Sequence, residues 1–254
     1  MEKKRGLIYC IILVFLLGFP TLLFSRPLKV QVELSEPWGF YGPNDTNSED
    51  NHKLTGIWID TIDLLEKKTG IKFQISLAPQ ARVTQNLENG KVDMSFLIKA
   101  ETENPKVSCI VYMFSVSTTV ISLKEKNINT YEDLYKTRIG IVRGSKNDPT
   151  FDVDGALFKQ SYRNHHIIVN MLFQKRLDVV VGDSVSIQYL ISKLNLDASP
   201  YHTFTLRKAP VWMQLSIVAN HLEYTDQLIR ANEELKKSGV YERILSKYVI
   251  NHRH

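Results

Sequence analysis

The chain has 254 residues, 43% hydrophobic and 23% charged, with a formal net charge of +5. Twelve Gly and nine Pro exclude collagen-like and low-complexity classes, and two Cys exclude a disulfide framework or a four-cysteine zinc site. The charge is mild and alternates in sign, with no basic block among aromatics, which argues against nucleic acid as a partner.

Lys3, Lys4 and Arg5 precede an uncharged stretch, 6–25, whose apolar run over 7–17 is interrupted by Gly18 and Pro20. A basic start, an apolar middle and the small Ser25 at the exit form the pattern of a cleavable signal peptide, 1–25, and imply export to the periplasm. The competing reading is a membrane anchor over 7–24, because roughly 18 apolar residues nearly span a bilayer. Cleavage removes one acid and three bases, leaving the mature chain at about +3, with Cys109 its single cysteine. Cys109 sits in an apolar run and reads as a buried structural thiol.

Residues 28–34 alternate apolar and polar, a strand. A long loop follows over 36–54 and carries three aromatics, Trp38, Phe40 and Tyr41. Ile59, Ile62 and Leu65 keep helical spacing up to a Gly70 cap. A strand over 71–77, a helix over 81–88 and a strand over 92–98 come next. Further on, strands are expected over 118–123, 138–142, 177–181 and 214–219. Helices are expected over 130–135, 166–175, 185–194, 224–237 and 240–248. Alternating strands and helices predict an α/β fold with mostly parallel sheets. One pattern occurs twice: 87–93 and 172–178 each end a helix in a basic turn and open a buried strand with Asp93 or Asp178. Two lobes on one plan, facing each other across a crevice, account for it, and ligands of such sheets bind outside the carboxyl ends of the strands.

Four segments resemble the family 3 extracellular solute-binding proteins, which have the two-lobed type II periplasmic binding fold. They are Gly56-Ile57-Trp58-Ile59-Asp60 with Leu64-Leu65; 87–93; Asp133-Leu134 with the strand running to Gly144-Ser145; and Leu235 to Tyr248 with Gly239-Val240-Tyr241 and Ile244. The resemblance implies chain crossings near 115–122 and 206–214. Lobe 1 then holds 27–118 and 212–254, and lobe 2 holds 119–211. It further implies a monomer that binds a small polar solute, an amino acid or a related compound, and serves an inner-membrane ABC permease. An enzyme on the same fold, such as a dehydratase of a prephenate-like acid, and a sensing module without transport are the other readings. No nucleophile elbow, phosphate loop or metalloprotease motif is present, and no cofactor is expected.

An amino-acid pocket needs an anion anchor, a cation anchor and an apolar wall. Gly144 and Ser145, just after a strand, can offer backbone N–H groups and a hydroxyl to an anion; an ordinary βα turn is the alternative. Asp183, at the end of a buried strand, can hold an ammonium; capping the next helix is the alternative. Trp38 and Phe40 fall where the family places its stacking aromatics, or else plug the core, while Trp58 reads as packing. The family's carboxylate-binding Arg is missing, because Asn104 stands in its place. Arg82, after Pro79-Gln80-Ala81, is the first substitute that the resemblance suggests, and Arg143, beside Gly144, is the second; surface solvation is the alternative for both and is preferred for Arg143. Lys136 replaces a Gly of the family. His165 and His166, and the terminal His252 and His254, read as a solvated pair and a frayed tail rather than metal ligands.

Overall fold

The computed structural model describes residues 26–42, 53–99, 104–197, 199 and 201–249. The signal-peptide reading and the terminal histidines lie outside these residues. The first part of the chain forms β1 (Leu28–Glu33), a small hairpin of β2 (Phe40–Tyr41) and β3 (Leu54–Thr55), then α1 (Ile57–Thr69), β4 (Phe73–Ala78), α2 (Gln80–Glu88) and β5 (Met94–Ile98). A 17-residue strand, β6 (Val107–Leu123), leads into β7 (Ile139–Val142), α3 (Pro149–Val153), β8 (Lys159–Tyr162), α4 (His165–Phe173), β9 (Val179–Asp183) and α5 (Ser184–Lys193). A 16-residue strand, β10 (Tyr201–Ser216), returns to α6 (Thr225–Lys237) and α7 (Val240–Val249).

These elements follow from local pattern. β1 buries Leu28, Val30 and Val32 as its alternation predicts. α1 buries Ile57, Trp58, Ile59, Ile62 and Leu65, and Gly70 closes it in a left-handed cap whose N–H donates to Glu66 O. At the other end, Gly56 (φ 132) lets the helix approach the turn before it: a Cβ there would lie 2.6 Å from Trp38 O. That approach lets Ile57 N–H and Trp58 N–H donate to Pro37 O and Trp38 O, which satisfies two first-turn donors and fixes the backbone at Trp38.

Eight strands form one sheet in the order β4-β1-β5-β10-β6-β9-β7-β8. β4, β1 and β5 run parallel, as do β8, β7 and β9. Each triplet flanks the β6–β10 ribbon with antiparallel pairing, β5 to β10 and β9 to β6. Because β6 and β10 are themselves antiparallel, the two triplets run toward each other. β5 ends at Ile98, opposite Val211, whose ribbon partner is Phe114. β9 ends at Asp183, opposite Thr118. Four residues of ribbon therefore separate the two sets of carboxyl ends, about 13 Å at roughly 3.3 Å per residue. This is the two-lobed architecture of opposed parallel sheets, and it aims every parallel strand at one seam.

The duplicated sequence pattern corresponds to a duplicated clamp. In the first half, Asp93 is buried, accepts from Lys29 N–H at 2.7 Å and takes a two-pronged bond from Arg26. In the second half, Asp178 is buried, accepts from Arg138 N–H at 3.0 Å and takes a two-pronged bond from the Arg138 guanidinium. Hydrogen bonding to Arg138 holds the Asp178 carboxyl well below the usual carboxylate range. Each clamp ties the third strand of a triplet to its central strand. The turns before them match as well, with Gly90 (φ 67) in one and Lys175 (φ 58) in the other.

Several expectations need correction. The strands expected over 118–123 and 214–219 are parts of much longer strands, and the latter reaches only Ser216. α3 and β8 lie in stretches to which the pattern assigns nothing. The helix expected over 130–135 is a single 3₁₀ turn, Glu132–Leu134, although Asp133 does accept from Thr130 N–H at 2.9 Å. Cys109 is half-buried rather than fully buried, and its desolvation pushes the thiol pKa up.

Lys136 has φ 71 and an exposed side chain. A residue with a Cβ is strained in the left-handed region by roughly 1–2 kcal/mol, part of which Gly gives back through its unfolded-state freedom. Lys136→Gly should therefore stabilise the protein by about 0.5–1 kcal/mol. Urea unfolding of both proteins measures this, and a lower midpoint for the variant would contradict it.

Candidate functional site

The seam holds a cavity of about 350 Å³, within the range of small-molecule sites. All six parallel strands reach it. β1 delivers Glu33, Leu34 and Ser35; β4 leads to Pro79, Gln80 and Ala81; β5 supplies Phe96, Leu97 and Ile98. From the other side, β7 leads to Arg143, Gly144, Ser145, Lys146 and Asn147, β8 to Arg163, Asn164 and His165, and β9 to Asp183. The ribbon closes the floor with Val116, Thr118 and Val211.

Trp38 forms an aromatic wall with its neighbours. It stacks on Trp58 (5.4 Å between centroids) and Phe114 (6.1 Å), and Trp58 stacks on Phe96 (4.5 Å, interplanar 4°). Each such pair contributes roughly 0.5–1.5 kcal/mol beyond its buried area. Trp38 and Trp58 are both nearly fully buried, yet both border the cavity. The two readings of Trp38, core plug and cavity wall, therefore describe one placement.

Asp183 likewise combines its two readings. Its Oδ1 accepts from Ser186 N–H at 2.9 Å, capping α5, and from Trp38 Nε1–H at 3.2 Å. Its Oδ2 lies 3.6 Å from His165 Nε2, beyond hydrogen-bond distance. The carboxylate thus caps a helix with one oxygen and leaves the other without a hydrogen bond to a described residue, on a residue that borders the cavity. His165 is buried, not solvated, because it opens α4 and packs against Gly182, where a Cβ would lie 2.8 Å from Nε2. Burial pushes its pKa down and outweighs the pull of Asp183, which keeps the ring neutral near pH 7. His166 is exposed and pairs with Asn170. Among the described residues, no three His, Cys, Asp or Glu side chains gather as metal ligands.

Gly144 and Ser145 border the cavity but do not open a helix. The next helix, α3, starts four residues after Ser145 and is capped by Asp148. Ser145 N–H and Oγ–H both donate to Val142 O, at 3.1 and 2.8 Å. Phe40 lies away from the cavity and packs against Tyr189 (6.1 Å) and beneath the Lys193 ammonium. Arg82 is exposed on α2 and does not border the cavity, although its neighbours Gln80 and Ala81 do. Asn104 is also remote from the cavity: it donates to Glu88 Oε1 at 2.8 Å and accepts from Lys106 N–H.

Sequence reasoning missed Glu33, Lys146 and Arg163. Glu33 closes an alternating strand and reads there as a residue of the polar face; its place at a strand's carboxyl end was the available signal. Its carboxylate has no hydrogen bond or ion pair to any described residue. Burial, and secondarily the negative charge of Asp183, pushes its pKa up to about 7.

That shift has a consequence for stability. The Glu33 pKa is raised above its ordinary 4.5, so its contribution favours folding below about 4.5 and is lost as pH rises through 7. Glu33→Gln should stabilise the unliganded protein by about 1–3 kcal/mol at pH 8 and change little at pH 5. His165 titrates in both proteins, so its opposite effect, a loss below about pH 6.5, cancels in the comparison. Urea melts at the two pH values measure the difference, and an equal effect at both would refute the assignment.

The model of the bacterial extracellular solute-binding proteins, family 3, matches residues 31–251. No curated protein matches significantly. Among solved structures, the chain is similar to the AvGluR1 ligand-binding domain in complex with glutamate (TM-score 0.73, 18% identity, covering 90% of this chain and 97% of that one). It is also similar to a mutant of ArgBP from T. maritima (TM-score 0.70, 18% identity, 87% and 94% covered). A third is the substrate-binding protein of an amino acid ABC transporter (TM-score 0.70, 15% identity, 88% and 99% covered). At these identities the structural likeness establishes the fold, and the family match covers most of the chain. The protein belongs to the bacterial extracellular solute-binding proteins, family 3.

Proposed function

We propose that the protein captures a small polar solute, an amino acid or a close relative, in the cavity at the seam of its two lobes. The single observation that carries this reading is the convergence of six strand ends on a cavity that pairs an aromatic wall with charges of both signs. Lobe 1 comprises 27–118 and 212–254 and lobe 2 comprises 119–211, so the chain crosses within the β6–β10 ribbon. Register irregularities in that ribbon, between Thr205 and Arg207 and between Val211 and Trp212, flank the segment that spans the seam. They are the places where a change of twist is absorbed most easily, and closure of the lobes around solute is a hinge motion there.

In this reading Trp38 stacks on the solute, Asp183 takes its ammonium, and Gly144 and Ser145 contact it from the β7 loop. Phe40 and Arg82 have no part in it. Export rests on the pattern of residues 1–25, and no helix of the described residues is long and apolar enough to cross a membrane. Delivery to an ABC permease and ligand sensing share this site. The neighbours include a protein of the first kind and a receptor ligand-binding domain, and the two outcomes differ in the partner rather than in the cavity.

A thermal-shift screen of amino acids, amines and small organic acids tests capture. A solute at a hundredfold excess over its Kd should add about 2.7 kcal/mol to stability. The role of Asp183 is isolated by Asp183→Asn, because Asn caps a helix as well as Asp and can still accept from Trp38. The variant should keep the unliganded melting temperature and bind an amine-bearing solute about 2–5 kcal/mol more weakly. Unchanged affinity by titration calorimetry would leave Asp183 with the cap alone.

A further inference from the structure

We propose that the cavity selects an acidic amino acid, a small solute with two carboxylates and one ammonium, and holds its carboxylates on a cationic wall formed by Arg143, Lys146 and Arg163. This rests on the solute-binding reading above and names the class of solute.

Among the described residues, the charged groups on the cavity lining are Arg143, Lys146, Arg163, Glu33 and Asp183, with His165 neutral in its buried position. Three cations face Asp183 and a Glu33 that is only about half ionised near pH 7, which leaves the lining between one and two positive charges in excess. A solute of net charge −1 reduces that excess, a neutral zwitterion leaves it standing, and a basic amino acid adds to it. Arg143, Lys146 and Arg163 are all exposed in the unliganded protein, so the excess acts as a positive potential at the cavity that favours a solute of net charge −1, most strongly where closure desolvates the pairs.

The placement of the charges supports the same solute. Arg143 and Lys146 stand on the loop after β7 and Arg163 on the loop after β8. These strands are paired neighbours, with Val142 opposite Tyr162 and Arg143 N–H donating to Tyr162 O at 2.7 Å. Adjacent strands lie about 4.8 Å apart, so the three cations are crowded at one edge. None of their side chains has an ion pair or hydrogen bond to a described residue. Other exposed bases, such as Lys91 and Arg176, are unpaired among the described residues as well, so what sets these three apart is their shared place on the cavity lining. Among the described residues the opposite wall offers no cation, since Arg82 lies off the cavity. It offers Glu33 instead, unpaired, which with Asp183 suits a single ammonium. The anion anchor therefore belongs to the lobe that carries Asp183, and the solute lies with its carboxylates toward the β7 and β8 loops.

Titration calorimetry at pH 7 and low salt tests this with L-glutamate and L-aspartate against L-glutamine, L-arginine and L-lysine. The acidic pair should bind at least about tenfold tighter than any of the others, the scale of one charge-assisted contact. The double variant Arg143→Gln, Arg163→Gln should lose that preference, while L-glutamine binding changes far less. Tighter binding of L-arginine or L-lysine, or a double variant that keeps the preference, overturns the proposal and leaves solute capture standing. Binding of none of the five across a broad concentration range overturns capture of amino acids together with it. Should the variant not fold, the native protein still decides. L-glutamate affinity should fall several-fold between low and high salt while L-glutamine affinity stays level, and equal slopes overturn the proposal.

Discussion

The antiparallel pairing of β6 with β10 is the constraint on which the rest depends. A parallel strand brings its carboxyl end to the same edge as its neighbours, and helices return the chain on the faces. Two such triplets could join in many ways. A single long antiparallel ribbon running through both fixes one: the triplets must oppose each other, and their carboxyl ends must meet over the ribbon's middle. The gap is set by register, from Phe114 to Thr118 on one ribbon strand. At about 13 Å it suits a molecule of amino-acid size with a side chain from each wall. The site is thus a property of strand order before it is a property of any side chain.

Chemistry is then distributed by which strand ends where. The first triplet brings apolar and aromatic surface with one carboxylate, and the second brings polar loops with cations and the other carboxylate. Trp38 bridges them. Its backbone is fixed by the donors at the start of α1, its ring is stacked in the core of the first half, and its indole N–H reaches Asp183 in the second. The bond that helps set the orientation of Asp183 therefore comes from across the seam. A charge whose orientation depends on the opposing half is sensitive to how the halves meet.

Much of the fold was legible because it rests on local rules. The alternation in β1, the Gly70 cap and the amphipathic closing helices appear where pattern places them. The duplicated 87–93 and 172–178 segments were legible as a repeat, while the work that each Asp does against the start of the central strand emerged only in the structure. Lys136 was legible as a departure, and its positive φ shows why the family has Gly there. The long ribbon was not legible. Strand propensity is weak where a strand gains its stability from neighbours far away in sequence, and a polar stretch interrupted by Pro210 does not announce a strand. Its half of β10 is edged by bulges and held by pairing with β6.

The site was legible in its backbone and less so in its side chains. Asp183, Gly144, Ser145 and Trp38 reach the cavity because each follows a strand end or a turn that sequence can place. Phe40 and Arg82 were carried by likeness in position, and position in sequence does not say which face of a hairpin or helix a side chain takes. Arg163 and Lys146 stand in stretches without periodicity, so nothing local marked them. Glu33 is the instructive miss. As the polar member of an alternating strand it needed no explanation, and only the opposed sheet shows that its polar face is the cavity. Its carboxylate, desolvated and near a second negative charge, disfavours the unliganded state. Such a group persists where an occupant relieves it. Asp183 has its cap and its indole, whereas Glu33 has only the cavity to face. An ammonium placed between the two carboxylates would find one already oriented and one in need of a partner.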